Sequence, residues 1–195
     1  MKKSILLVLL VAFLAVAVGV SGCLDNNDNG NTTNNTTNTT PTPPATPPTF
    51  DNNIVQVDPI PAGFELLVVK NVTADSEGIG GLTDALAGYS ATYMYNDSIS
   101  DTVYLYAFEC SNTAAAAGYV QDMIDAHIAK YPGSNNVTTA KVNGHDATLL
   151  TRTVTGGSGS DERYELAWNN GPILVVVNGP ASYNLILSIA EASGL

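Results

Sequence analysis

Two apolar periodicities alternate along residues 50–195. Phe64 to Lys70 is a short apolar run of strand length, and Tyr89 to Tyr95 alternates, with Tyr89, Ala91, Tyr93 and Tyr95 on one face and Ser90, Thr92 and Met94 on the other. Asn96-Asp97-Ser98 forms a turn signal leading into the strand-like stretch Thr102 to Cys110. Ser111-Asn112-Thr113 then offers a helix cap. Four alanines follow, and Tyr119, Val120, Met123, Ile124 and Ile128 recur at helical spacing until Pro132-Gly133 stops the pattern.

Strands return after the helix. Val137 to Val142 and Asp146 to Val154 flank Asn143-Gly144, a strong two-residue hairpin signal because both positions must accept positive φ. Gly156 to Ser160 is expected as a flexible break. Arg163 to Trp168 alternates again, and Asn170-Gly171-Pro172 turns the chain into the apolar run Ile173 to Val177. A last helix is predicted over Ala181 to Ala192, with Leu185, Ile186, Ile189 and Ala190 as its inner stripe and Gly194 just beyond its end. The pattern predicts an α+β fold: an antiparallel sheet of about six strands covered by two main helices, as a two-layer or an α/β/α sandwich.

The N-terminal residues follow different rules. Lys2 and Lys3 precede an almost wholly apolar run from Ser4 to Val20, and Val20-Ser21-Gly22 supplies small residues just before Cys23. Charged, apolar, small is the order of an export signal. Val20-Ser21-Gly22-Cys23 resembles the lipobox of prokaryotic lipoproteins. That resemblance implies that residues 1–22 are removed, that the Cys23 thiol is lipidated and that the chain is anchored to the cell membrane, facing outward. The alternative is an uncleaved anchor, since Ser4 to Gly22 nears the ~20 residues needed to cross a bilayer. Either way the two lysines hold the N-terminal side in the cytoplasm and the rest outside.

Residues 24–49 have two aspartates, no aromatic residue and only Leu24 as a large aliphatic, too little apolar surface to offset the entropy of ordering. They are expected to act, with Cys23, as a disordered tether (23–49) spanning roughly 28 Å as a flexible coil, stiffer through Pro41 to Pro48. Asn31, Asn34, Asn35 and Asn38 each begin an Asn-X-Ser/Thr sequon and are candidate glycosylation sites, as are Asn71, Asn96 and Asn136 further on. The tether resembles those of archaeal surface lipoproteins, especially from methanogens. Residues 50–195 are enough for one domain and too few for two ordinary ones.

Charge narrows the partners. Without Lys2 and Lys3, five of the seven basic residues remain against 18 acidic ones, a net of about −13. Such a chain repels nucleic acid and anionic lipid surfaces. With Cys23 lipidated, Cys110 has no partner for an intramolecular disulfide and is expected as a buried apolar side chain.

The segment Val142-Asn143-Gly144-His145-Asp146-Ala147, Trp168 before a turn, an apolar strand and an amphipathic terminal helix are similar to extracytoplasmic domains of prokaryotic lipoproteins and to the PsbP/Mog1 type of α/β/α sandwich. The similarity spans about Thr102 to Leu195 and implies a fold and a location, with no activity attached.

Catalytic constellations are not apparent. His127 lies within or beside the helical stripe, where a packed histidine is expected, and His145 follows a hairpin turn. No His/Cys/Asp/Glu group has the spacing of a zinc site. Gly78 to Gly81 lacks the G-x-G-x-x-G spacing, and Gly156 to Ser160 lacks the strand-to-helix setting of a nucleophile elbow. Acidic residues such as Asp75, Glu77, Asp97, Asp101, Asp161 and Glu162 are expected in solvated turns. No catalytic residue, cofactor or metal is therefore assigned. One enrichment stands out: Tyr93 and Tyr95 on one strand, with Tyr104 and Tyr106 on the next, either form an aromatic platform for a sugar or peptide or pack as core. The expected function is a non-catalytic binding or accessory module for an envelope protein, a glycan or a small ligand. The alternative is an enzyme whose site gathers dispersed residues such as Cys110, His127 and His145.

Overall fold

The computed structural model describes residues 50–73, 82, 85–132, 136–156 and 159–195, all within the compact unit Ala45–Leu195. Residues 1–49, including Cys23, Asn31, Asn34, Asn35 and Asn38, lie outside the described residues, as do Asp75, Glu77 and the 78–81 glycine stretch. Among the described residues, seven strands and two α-helices follow in order: β1 (Phe64–Asn71), β2 (Ala85–Tyr95), β3 (Ser98–Cys110), α1 (Thr113–Lys130), β4 (Asn136–Val142), β5 (His145–Gly156), β6 (Gly159–Asn170), β7 (Ile173–Gly179) and α2 (Tyr183–Ala192). The predicted α+β class is the observed one, with seven strands where about six were expected. Among the described residues, no helix is long and apolar enough to cross a membrane.

All seven strands form one sheet in the order β1-β2-β3-β7-β6-β5-β4, with every neighbouring pair antiparallel. Two meanders meet at β3 and β7, and α1 connects the first meander to the second. Strand parity then decides the layers. Val103, Leu105 and Ala107 of β3 and Val175 and Val177 of β7 lie in one core with Ile186, Ile189 and Ala190 of α2. Phe108 and Cys110 of β3 and Leu174 and Val176 of β7 lie in another with Ala116 and Tyr119 of α1. Successive residues of one strand point to opposite faces, so the helices cover opposite sides and the α/β/α arrangement is realised. That explains why Ile173 to Val177 is an unbroken apolar run: it is buried on both faces.

Each helix is shaped by local chemistry. Asn112 caps α1, its Oδ1 accepting from the amide of Ala115 at 2.9 Å. The buried positions of α1 are Ala116, Tyr119 and His127, with Val120 and Met123 packed beside them. Ile128, expected on that stripe, is 42% exposed, and His127 takes the inner position. On α2, Ile186 and Ile189 are fully buried, worth about 1.5–3 kcal/mol each. The single tryptophan, Trp168, is 1% exposed on the same face and donates its indole N–H to the backbone oxygen of Leu195 at 3.2 Å.

A short 3-10 turn at Asn52–Val55, not foreseen from the periodicity, straps β1 to β3 on the α2 face. The Tyr93 hydroxyl bolts it down, donating to the Val55 carbonyl at 2.6 Å and accepting from the Val57 amide at 2.8 Å. Phe50, just before this turn, packs with its ring centre 5.3 Å from that of Tyr89 on the α2 face.

The expected turn is found at Asn96 and Asp97, both at positive φ (48° and 55°), and β3 starts directly after it at Ser98, ahead of Thr102. Gly156 pairs with Gly159, so β5 and β6 extend into the stretch expected as a flexible break, of which residues 157 and 158 lie outside the described residues.

Candidate functional site

The β5–β6 register sets Arg152 directly opposite Arg163. One step inward, Leu150 faces Glu165, Glu165 faces Asn178 of β7, and Asn178 faces Tyr104 of β3. Directly paired residues share a face, and Ala167, two residues on from Glu165, belongs to the α1 core. The row therefore lies on the α1 side. α1 ends at Lys130 just short of Pro132, which brings His127 of its last turn against this row. Gly179 and Pro180 close one end. The result is a cleft of about 290 Å³ lined chiefly by Arg152, Arg163, Glu165, Asn178, Tyr104 and His127.

Gly179 is required where it stands. Its φ is +147°, and a Cβ there would fall on the carbonyl oxygen of Thr102, where β7 crowds β3.

The hydrogen bonds leave the cleft with an uneven charge. Arg152 donates from Nη1 to the Tyr131 hydroxyl at 3.1 Å and lies 5.4 Å from the centre of that ring. Arg163 donates from Nη1 to the Pro180 carbonyl at 2.6 Å, and its Nη2 is 3.8 Å from the exposed carboxylate of Asp161. Among the described residues no carboxylate lies within ion-pair distance of Arg152. Glu165 accepts from the Asn178 amide at 2.8 Å. Both arginines of the chain thus meet in one cleft of a chain with net charge −11. Like charges directly opposite on neighbouring strands are destabilising, and an exposed aspartate at 3.8 Å offsets little of that.

His127 is 8% exposed, and its Nε2 lies 3.1 Å from the Thr151 carbonyl. A carbonyl only accepts, so Nε2 carries the hydrogen and is committed to the backbone. Tyr164, also at the cleft, donates to Glu162 at 2.5 Å; this bond first, then burial and the Glu162 charge, raise its hydroxyl above the ordinary tyrosine value.

The sequence candidates scatter. Tyr93 is fully buried and Tyr95 packs edge-on to Phe64 at 5.1 Å, both on the α2 side. Tyr104 and Tyr106, 6.4 Å apart, lie on the α1 side. The cause is register: Tyr93 pairs with Val103 and Thr92 with Tyr104, so the two tyrosine pairs face opposite ways and no four-ring platform forms. Of the four, Tyr104 lines the cleft. Cys110 is buried in the α1 core, and His145 sits at the β4–β5 hairpin. Asp101 and Asp161 with Glu162 lie on β3 and β6, not in turns. Among the described residues no group of His, Cys, Asp and Glu is set to hold a metal ion. Arg152 and Arg163 were not foreseen; their signal was the glycine pair at 156 and 159, from which the cross-strand pairing follows by counting.

The chain matches no family model. No curated protein matches it. Among solved structures, it is similar to the extracellular domain of PknH from Mycobacterium tuberculosis, at 10% identity and a TM-score of 0.44, over 68% of this chain and 83% of that one.

Proposed function

We propose that this chain is a lipid-anchored surface protein of archaeal type whose domain is a non-catalytic binding module, with the cleft beside the end of α1 as its ligand site. The observation that carries the binding reading is the cleft itself: both arginines of the chain, aligned across two strands, beside a hydrogen-bonded Glu165–Asn178 pair and a tyrosine ring. His127 and Glu165 line the same cleft, His127 hydrogen-bonded to the Thr151 carbonyl and Glu165 to the neighbouring Asn178 amide. The anchor reading rests on the apolar run ending in Val20-Ser21-Gly22-Cys23 and on the polar stretch behind it. The acidic balance favours a protein, glycan or small-molecule partner over nucleic acid.

Intact mass and membrane partitioning of the native chain and Cys23→Ser test the anchor. A native mass lacking residues 1–22 and carrying lipid, with release into the medium on substitution, is expected. An unprocessed mass with unchanged membrane retention would overturn lipidation in favour of a spanning anchor.

A further inference from the structure

We infer that the cleft binds a carboxylate-bearing sugar unit, such as a single uronic acid within an otherwise neutral glycan; this rests on the reading of the cleft as a ligand site. The first argument is the arginine pair. The two arginines are direct cross-strand partners, Arg152 held by the hydroxyl and ring of Tyr131 and Arg163 by the Pro180 carbonyl and, at 3.8 Å, by the exposed Asp161 carboxylate, so among the described residues neither has a close ion-pair partner. A planar anion between them rewards both, because the guanidinium fork matches a carboxylate with paired N–H donors.

The second argument is the sign and size of the charge. Two guanidiniums share the cleft with one lining carboxylate, Glu165, and the exposed Asp161 3.8 Å from Arg163 offsets little, so the cleft suits a single negative charge. A doubly charged phosphate would meet Glu165 across a short distance. The third is the floor. Glu165 and Asn178 present an acceptor and an amide side by side, the combination that neighbouring sugar hydroxyls satisfy together. Tyr104, on the same cross-strand row, offers the ring against which the apolar side of a sugar packs. The fourth is volume. About 290 Å³ lies at the small end of the ~300–1,000 Å³ typical of small-molecule sites, room for one ring and not for a folded partner.

The test is titration of the full chain, purified in neutral detergent, followed by calorimetry and by amide NMR. The probes are the methyl glycoside of galacturonic acid, its neutral methyl ester, inorganic phosphate and a short acidic peptide. The galacturonic acid glycoside is expected to bind and to shift resonances of Asn178 and Glu165. Methyl esterification, Arg152→Gln and Arg163→Gln should each weaken it roughly tenfold or more, the scale of losing hydrogen bonds to a charged group. Arg163→Lys, which keeps the charge but not the fork, should fall between. The ester comparison uses only the native protein, so it stands even if a variant fails to fold. Equal affinity for acid and ester overturns the proposal, as does tighter cleft binding of phosphate or peptide; in those cases the cleft remains a ligand site for another chemistry. No shift at the cleft with any probe overturns both readings.

Discussion

The hydroxyl of Tyr93 sits inside the α2-face core and has two backbone partners there, the Val55 carbonyl and the Val57 amide. Tyr93→Phe keeps the ring and strands both partners, which should cost about 1–3 kcal/mol, or roughly 2–4 °C of melting temperature per kcal/mol for a chain of this size. Hydrogen exchange at the Val57 amide should accelerate with it. An unchanged melt would mean that the strap is held by packing alone. The same residue gives a pH dependence. Burial, partly countered by the Val57 amide, raises the Tyr93 hydroxyl above its ordinary value. The unfolded chain ionises it near pH 10, so its contribution is whole below that pH and is lost as pH rises from there through the folded value. Stability should therefore fall faster above about pH 10 in the native protein than in Tyr93→Phe.

At the level of elements, α1 depends on its start. Its first turn is Thr113 followed by alanines, with no acidic residue, so Asn112 is the device that satisfies an early amide. Asn112→Ala should lower stability by about 0.5–2 kcal/mol, read by thermal melting, and a smaller effect for Asn112→Asp would support capping as the cause. The elements themselves were largely legible, because alternation, helical spacing and the Asn143-Gly144 turn are signals carried by neighbouring residues. What was not legible depended on pairing. The 156–160 glycines look flexible by composition, yet their neighbours Thr155 and Ser160 continue the ladder. Missing that hairpin hid the register that brings Arg152 to Arg163. The four tyrosines show the same limit: alternation within each strand was right, but a one-residue offset between strands sent the pairs to opposite faces.

For the whole molecule, class and approximate strand count followed from the order of elements, whereas the layering followed from which strands became central. β7, last in sequence, lies in the middle of the sheet against β3, a pairing of residues such as Tyr104 with Asn178 that no local pattern announces. The cleft exists because of that long-range pairing, since it draws on β3, β5, β6, β7 and α1. The same sheet separates two environments. Trp168, the chain's one indole, is sealed beneath α2 on the side away from the cleft, its N–H held by Leu195. Its fluorescence should therefore be blue-shifted in the native protein, move red when the α2 layer opens, and stay constant as ligand fills the cleft. The molecule thus carries an optical gauge of its integrity that is independent of occupancy, and a ligand-dependent change in that emission would show that the two faces communicate through the sheet.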